Sequence, residues 1–234
     1  MGVVTDDGNL CIVTEYLPGG SLFNLLHDPS QSLTWQDQFL QFAIDICEGM
    51  AYMHAQTPPI LHRDLKSPNI LITEYGTTAK IADFGFARKF ASTMSSKGTQ
   101  RWCAPEILSG DSFYTEKVDD FSQYNTYINV IVLWEMCTRE IPYAKERGEV
   151  LRVKIVNDNH RPSFPSNMPN ILEDIYEECV SSMHTARPNF AYLLTKLRGR
   201  VTQKIQSSNR SYPVNHPKYC QCLIHRGRRS ELYQ

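Results

Sequence analysis

The sequence predicts an α+β fold, mainly helical, with a small β portion ahead of the helices. Two observations carry that prediction. Short β-branched apolar runs bounded by turn residues occur at residues 10–16, Ile70–Ile72 and 79–82, which is how strands read. Longer segments at 34–54, 170–180 and 189–197 place apolar side chains at i, i+3 and i+4, the period of a helix buried along one face.

Residues 10–16, Leu-Cys-Ile-Val-Thr-Glu-Tyr, read as a strand running into the turn signal Pro18, Gly19, Gly20. Ser21 then caps a short helix carrying Leu22, Leu25 and Leu26 on one face. Residues 34–54 make the clearest helix. Thr34 and Asp37 have capping-box spacing, and Phe39, Phe42, Ala43, Ile46, Cys47, Met50 and Met53 form a stripe that reads as core. A hairpin follows, with turn residues 73–78 around Gly76 joining its two short strands. Further on, Ile171, Leu172, Ile175 and Cys179 share one helical face. Phe190, Leu193, Leu194 and Leu197 share another, after Pro188 near the helix start.

With 234 residues and 41% apolar content, the chain can bury one substantial core. Seven cysteines, an odd number at irregular intervals, suggest reduced thiols rather than a disulfide framework. No basic stretch leads into an apolar segment at the N-terminus, and the longest purely apolar run, residues 130–134, is too short for a bilayer. A cytoplasmic protein is expected. The net charge of −1 hides a division: from Arg198 onward there are eight Lys/Arg and one acidic residue, Glu231. Such a tail could dock on anionic membrane or nucleic acid. Its Ser, Asn, Pro and Gln content favours a solvated, disordered terminus over residues 199–234, with no clear nucleic-acid or membrane partner. Cys220, Cys222 and His225 offer three zinc donors without the usual finger spacing, so zinc is disfavoured.

The chemistry concentrates in residues 62–69, His-Arg-Asp-Leu-Lys-Ser-Pro-Asn, and in Asp83, Phe84, Gly85, with Asp83 fourteen positions after Asn69. Folding the hairpin back brings Asp83 beside Asn69, so both can ligate a hard cation through oxygen. Asp64 is then free to accept a proton from an incoming hydroxyl.

Together with Ala104, Pro105 and Glu106, these motifs resemble the catalytic loop, metal loop and activation-segment end of a eukaryotic protein kinase. The phrasing Thr-Glu-Tyr-Leu-Pro-Gly-Gly-Ser-Leu, Lys-Ser-Pro-Asn and Arg-Trp-Cys-Ala-Pro-Glu is most similar to the tyrosine-kinase-like group, which includes Raf-like and mixed-lineage kinases. The resemblance covers residues 1–198 and implies a large helical lobe with a β remnant of the small lobe. It implies ATP and Mg2+ as cofactors and transfer of the γ-phosphate to protein hydroxyls. Asp64 would be the catalytic base, Lys66 would neutralise charge on the moving phosphate, and Asn69 and Asp83 would hold the metal. Lys66 and Thr99, in Gly-Thr-Gln-Arg-Trp, point to serine or threonine substrates. Glu15 to Gly19 would form the hinge, with Thr14 behind the adenine pocket, the backbone of Glu15 and Leu17 on the adenine edge, and Leu71 beneath it. His62 and Phe84 would stack in the regulatory spine. Arg63 would pair with a phosphate placed by an upstream kinase on Ser92, Thr93, Ser95 or Ser96. Glu106 and Arg187 would form a buried ion pair.

Two departures stand out. No glycine-rich loop precedes Leu10 and no strand carries the small-lobe lysine, so a truncated gene model or fragment is expected. Such a chain would either remain the catalytic lobe of a serine/threonine kinase or act as an inactive kinase-like binding module. Second, related kinases put five residues between an anchoring aspartate and Ile-Val-Leu-Trp. From Asp119, the chosen anchor with Asp120 as the alternative, eleven intervene before Ile131. Either the helix is longer or a bulged loop precedes it.

Overall fold

Val3, Val4, Ile12 and Val13 are the β-branched residues around which the first hairpin forms. In the computed structural model Gly2–Asp6 (β1) pairs antiparallel with Asn9–Val13 (β2), with Val4 opposite Cys11 and Asp6 opposite Asn9. The structure describes residues 2–6, 9–31, 38–57, 59–62, 64–83, 99–109, 121–166, 168 and 170–208. The strand expected over 10–16 ends at Val13, which lies opposite Gly2. Strand β1 itself was not anticipated.

Leu22–His27 (α1) begins where Ser21, in extended backbone, accepts a hydrogen bond from the Asn24 amide at 3.2 Å. That is the expected N-cap. It buries Leu22 and Leu26. Leu40–His54 (α2) carries the expected stripe, and all seven predicted core residues from Phe39 to Met53 are buried. The predicted start at Thr34 and Asp37 lies outside the described residues.

Ile70–Ile72 (β3) and Ala79–Ile81 (β4) form the predicted hairpin, with Ile70 opposite Ile81 and Gly76 at φ 59° in its turn. Helix α2 holds it directly: Asp45 Oδ2 accepts the Ala79 amide at 2.8 Å. On the other side the Ile72 amide donates to Gly20 O at 2.9 Å, and Ser21 bridges Leu71. Gly19 permits this approach. A Cβ there would lie 2.6 Å from the Ile72 carbonyl oxygen, inside any real contact distance.

Pro105–Ser109 (α3) and Gly148–Val156 (α5) have weak periodicity and were not anticipated. Phe121–Thr138 (α4) is one continuous helix of 18 residues. The extra residues therefore lengthen the helix. Residues 126–136 are buried throughout, which makes α4 the centre of the large core, since a helix apolar all round must be covered all round. Asn170–Cys179 (α6) and Phe190–Ser208 (α7) complete it, burying Leu172, Ile175, Tyr176 and Cys179, and Phe190, Leu193 and Leu197. Helix α7 runs ten residues beyond the expected boundary at 198; residues 209–234, with Cys220, Cys222 and His225, lie outside the described residues. No described helix is long and apolar enough to cross a membrane. The architecture is α+β and mainly helical.

Candidate active site

The 62–69 loop is built around its own polar groups. Pro68 sits in a single 3-10 turn, Ser67–Asn69, closed by the Asn69 amide donating to Lys66 O at 2.9 Å. Asn69 turns its side chain inward and donates from Nδ2 to Asp64 O at 2.8 Å and to Asp64 Oδ2 at 3.0 Å. Lys66 Nζ reaches the same oxygen at 2.7 Å. Asp64 and Asn69 are both buried. Buried carboxylates need such donors, because leaving one without partners is costly. Among the described residues no hydrogen bond reaches Asp64 Oδ1 or Asn69 Oδ1.

His62 anchors this loop to β4. Its ring is fully buried, and burial lowers its pKa. Nδ1 accepts the Asp64 amide at 3.3 Å, so Nε2 carries the proton and donates to Ala82 O at 2.8 Å. A neutral imidazole fits both bonds. Ala82 in turn donates its amide to Asn69 O at 2.8 Å, carrying the hairpin ladder one step past Ile81. Asp83 follows immediately, exposed, at φ 62°. That left-handed conformation is rare outside glycine but tolerated by aspartate. The hairpin therefore carries Ala82, the residue before Asp83, into contact with Asn69.

The other predicted residues fall as follows. Arg187 donates to both oxygens of Glu106, at 2.6 and 3.0 Å, with its own side chain fully buried. Thr99 opens the 3-10 turn Thr99–Trp102. Glu15 is paired with Lys80 at 2.7 Å on the partner strand of Leu71, and Leu17 O accepts the Gly20 amide at 3.3 Å. Thr14 is exposed and Leu71 half-buried. Arg63, Phe84, Gly85, Ser92, Thr93, Ser95, Ser96 and Asp119 lie outside the described residues.

Sequence reasoning missed Glu135. It is fully buried in α4, where Oε1 accepts Ser67 Oγ at 2.8 Å and contacts His27 Nε2 at 2.9 Å, and Oε2 accepts the Trp102 indole at 2.9 Å. A signal existed: an acidic residue directly after the apolar run 130–134 cannot be buried without a purpose-built set of donors.

Comparison with known proteins identifies the family. A family model described as protein tyrosine and serine/threonine kinase matches residues 1–197. The serine/threonine-protein kinase CTR1 of Arabidopsis thaliana is 38% identical over 216 residues, covering 90% of this chain and 25% of that protein. The serine/threonine-protein kinase STY46 of the same plant is 38% identical over 201 residues, covering 85% of this chain and 33% of that protein. The chain thus spans a third or less of the length of these curated relatives.

Proposed function

Because this chain belongs to the protein tyrosine and serine/threonine kinase family, we propose that it transfers the γ-phosphate of ATP to serine or threonine hydroxyls of a protein substrate. The observation that carries this reading is the division of labour on Asp64. Lys66 and Asn69 hold Oδ2, while Oδ1 faces no described donor. A buried carboxylate held in place by two donors suits a group that orients a hydroxyl and takes its proton. Lys66 sits where it can offset negative charge developing beside Asp64.

The donor set also fits a magnesium nucleotide. The Asn69 amide oxygen and the Asp83 carboxylate are hard oxygen ligands, and Mg2+ takes one or two such protein ligands and keeps waters and phosphate oxygens for the rest. When bound, magnesium ATP supplies the phosphoryl group and shields its charge. The backbone of Glu15 and Leu17 would hold the adenine edge, with Thr14 and Leu71 lining its sides. Thr99 would contact the catalytic loop. Arg63, Phe84, Gly85 and Asp119 keep the roles the resemblance implies. An upstream kinase would act on the segment after Gly85. The described cysteines are all unbridged, which supports a cytoplasmic, reducing setting.

Asp64→Asn tests the reading. It keeps the side-chain shape and removes the base, so transfer to a protein substrate should fall by about 10² to 10⁴. Undiminished transfer would reject the mechanism. A second reading, a kinase-like binding module without transfer activity, is favoured by one fact. Strands β1 and β2 carry no lysine or arginine, so they bring no cation to a triphosphate. Titration with magnesium ATP separates the two: ligand binding to the folded state raises the unfolding midpoint, and absence of any rise favours the binding module.

A further inference from the structure

Arg101 and Arg147 bring two positive charges onto the same loop. Arg101 sits one residue before Trp102, and its Nη1 donates to Pro142 O at 2.7 Å and to Tyr143 O. Tyr143 O also accepts the Glu146 amide at 3.1 Å, which closes a turn directly ahead of Arg147. Arg147 is exposed and enters α5 in extended backbone. Burial, and after it the charge of Arg147, lowers the Arg101 pKa. Arginine stays protonated all the same. Two like charges thus share one corner of the surface, an arrangement that costs energy until an anion relieves it.

The neighbouring carboxylates are engaged elsewhere. Lys154 donates to Glu146 at 2.9 Å, and Arg152 Nε donates to both oxygens of Glu149 at 2.9 Å. Glu146 offsets part of the repulsion on Arg101, but less than Arg147 adds. Lys145, also exposed, puts a third cation two residues from Arg147. The Tyr143 ring is buried under this loop, with its hydroxyl 3.2 Å from that of Tyr127. The backbone that presents Arg147 therefore needs no rearrangement to receive a ligand.

The corner adjoins the candidate active site. Trp102 and Ser67 donate to opposite oxygens of Glu135, at 2.9 and 2.8 Å. The segment carrying Arg101 thus meets the Asp64–Asn69 loop across a single carboxylate. We propose that Arg101 and Arg147, with Lys145, bind an acidic segment of the protein substrate close to the hydroxyl that receives the phosphate. The word substrate rests on the transfer reading above; the binding does not. A guanidinium pairs with a carboxylate through two parallel N–H donors, and that geometry selects glutamate or aspartate. Nucleic acid fits less well. Glu146 and Glu149 stand among the cations, whereas a phosphate backbone is held by an uninterrupted positive field.

Fluorescence anisotropy on the whole chain tests this with two labelled peptides, each a central serine flanked by either glutamates or glutamines. The glutamate peptide should bind about tenfold more tightly, the scale of one hydrogen bond between charged groups. Added salt should shrink that difference. Arg147→Glu should abolish the preference. Arg101→Lys, which keeps the charge but not the planar fork, should reduce it. Equal affinity for the two peptides, or a preference that survives Arg147→Glu, overturns the proposal. So does a short single-stranded DNA that displaces the glutamate peptide and depends on Arg147 in the same way. The two readings fail separately: transfer that survives Asp64→Asn rejects the chemistry, while the peptide preference is read from binding alone.

Discussion

Arg187 and Glu106, 81 residues apart in the chain, form a two-bond ion pair in which the guanidinium is wholly buried and a quarter of the carboxylate side chain remains exposed. The same guanidinium lies 5.0 Å from the centre of the buried Tyr127 ring and donates from Nε to Ser181 O at 3.0 Å. The start of α3 is thus tied to the loop before α7 through the core.

Removing one partner of such a pair costs more than removing both, because the survivor is a buried charge without compensation. Glu106→Ala should therefore destabilise the chain by about 3 kcal/mol or more. The double variant Glu106→Met with Arg187→Met should cost less. Urea unfolding of the three proteins checks this, and equal costs for single and double variants would contradict it.

Lys66 shares Asp64 Oδ2 with Asn69. If it offsets charge in the transition state, Lys66→Ala should lower kcat about 10²-fold, the usual scale for one lost electrostatic contact. The unfolding midpoint should fall only modestly, since buried Asp64 keeps its second donor, Asn69. Unchanged kcat would remove Lys66 from the chemistry.

Gly19 and Gly20 are adjacent but constrained differently. A Cβ on Gly19 would strike the Ile72 and Thr73 carbonyl oxygens, while Gly20 has open space but φ 70°. Gly19→Ala should cost about 1–3 kcal/mol by forcing the turn off β3. Gly20→Asn should cost little, because asparagine tolerates the left-handed region. Chemical denaturation of both variants makes the comparison.

Burial holds His54 neutral, pushing its pKa down to about 4, and its ring packs edge-on against Phe190 at 5.3 Å. The unfolded chain then binds more protons than the folded one between the ordinary histidine pKa and that lowered value. The stability it contributes is fully present above about pH 6.5 and is lost as pH falls toward 4. His62 shifts in the same direction for the same reason. His54→Phe should flatten the decline of the unfolding midpoint across that window, and an unaltered slope would show that His54 does not drive it.

Much of the candidate site was legible because it is local. Asp64, Lys66 and Asn69 share eight consecutive residues with His62, and the hairpin that returns Asp83 is specified by two short strands and a glycine turn. The stripe of α2 was equally plain, since a helix buried on one face writes its period into the chain. By contrast β1 is short, and α3 and α5 present little periodicity. The continuity of α4 through its extra residues could not be chosen over a bulge, because both begin from the same letters.

By itself, then, the chain determined its family, the catalytic-loop motif and the buried faces of its main helices, all of which depend on neighbours a few positions apart. Tertiary structure alone decided that Glu135 would gather Trp102, Ser67 and His27, which lie 33, 68 and 108 residues away. Periodicity records which face of a helix is covered, but not which segment covers it. A hydrogen bond between distant segments exists only once packing has brought donor and acceptor within reach.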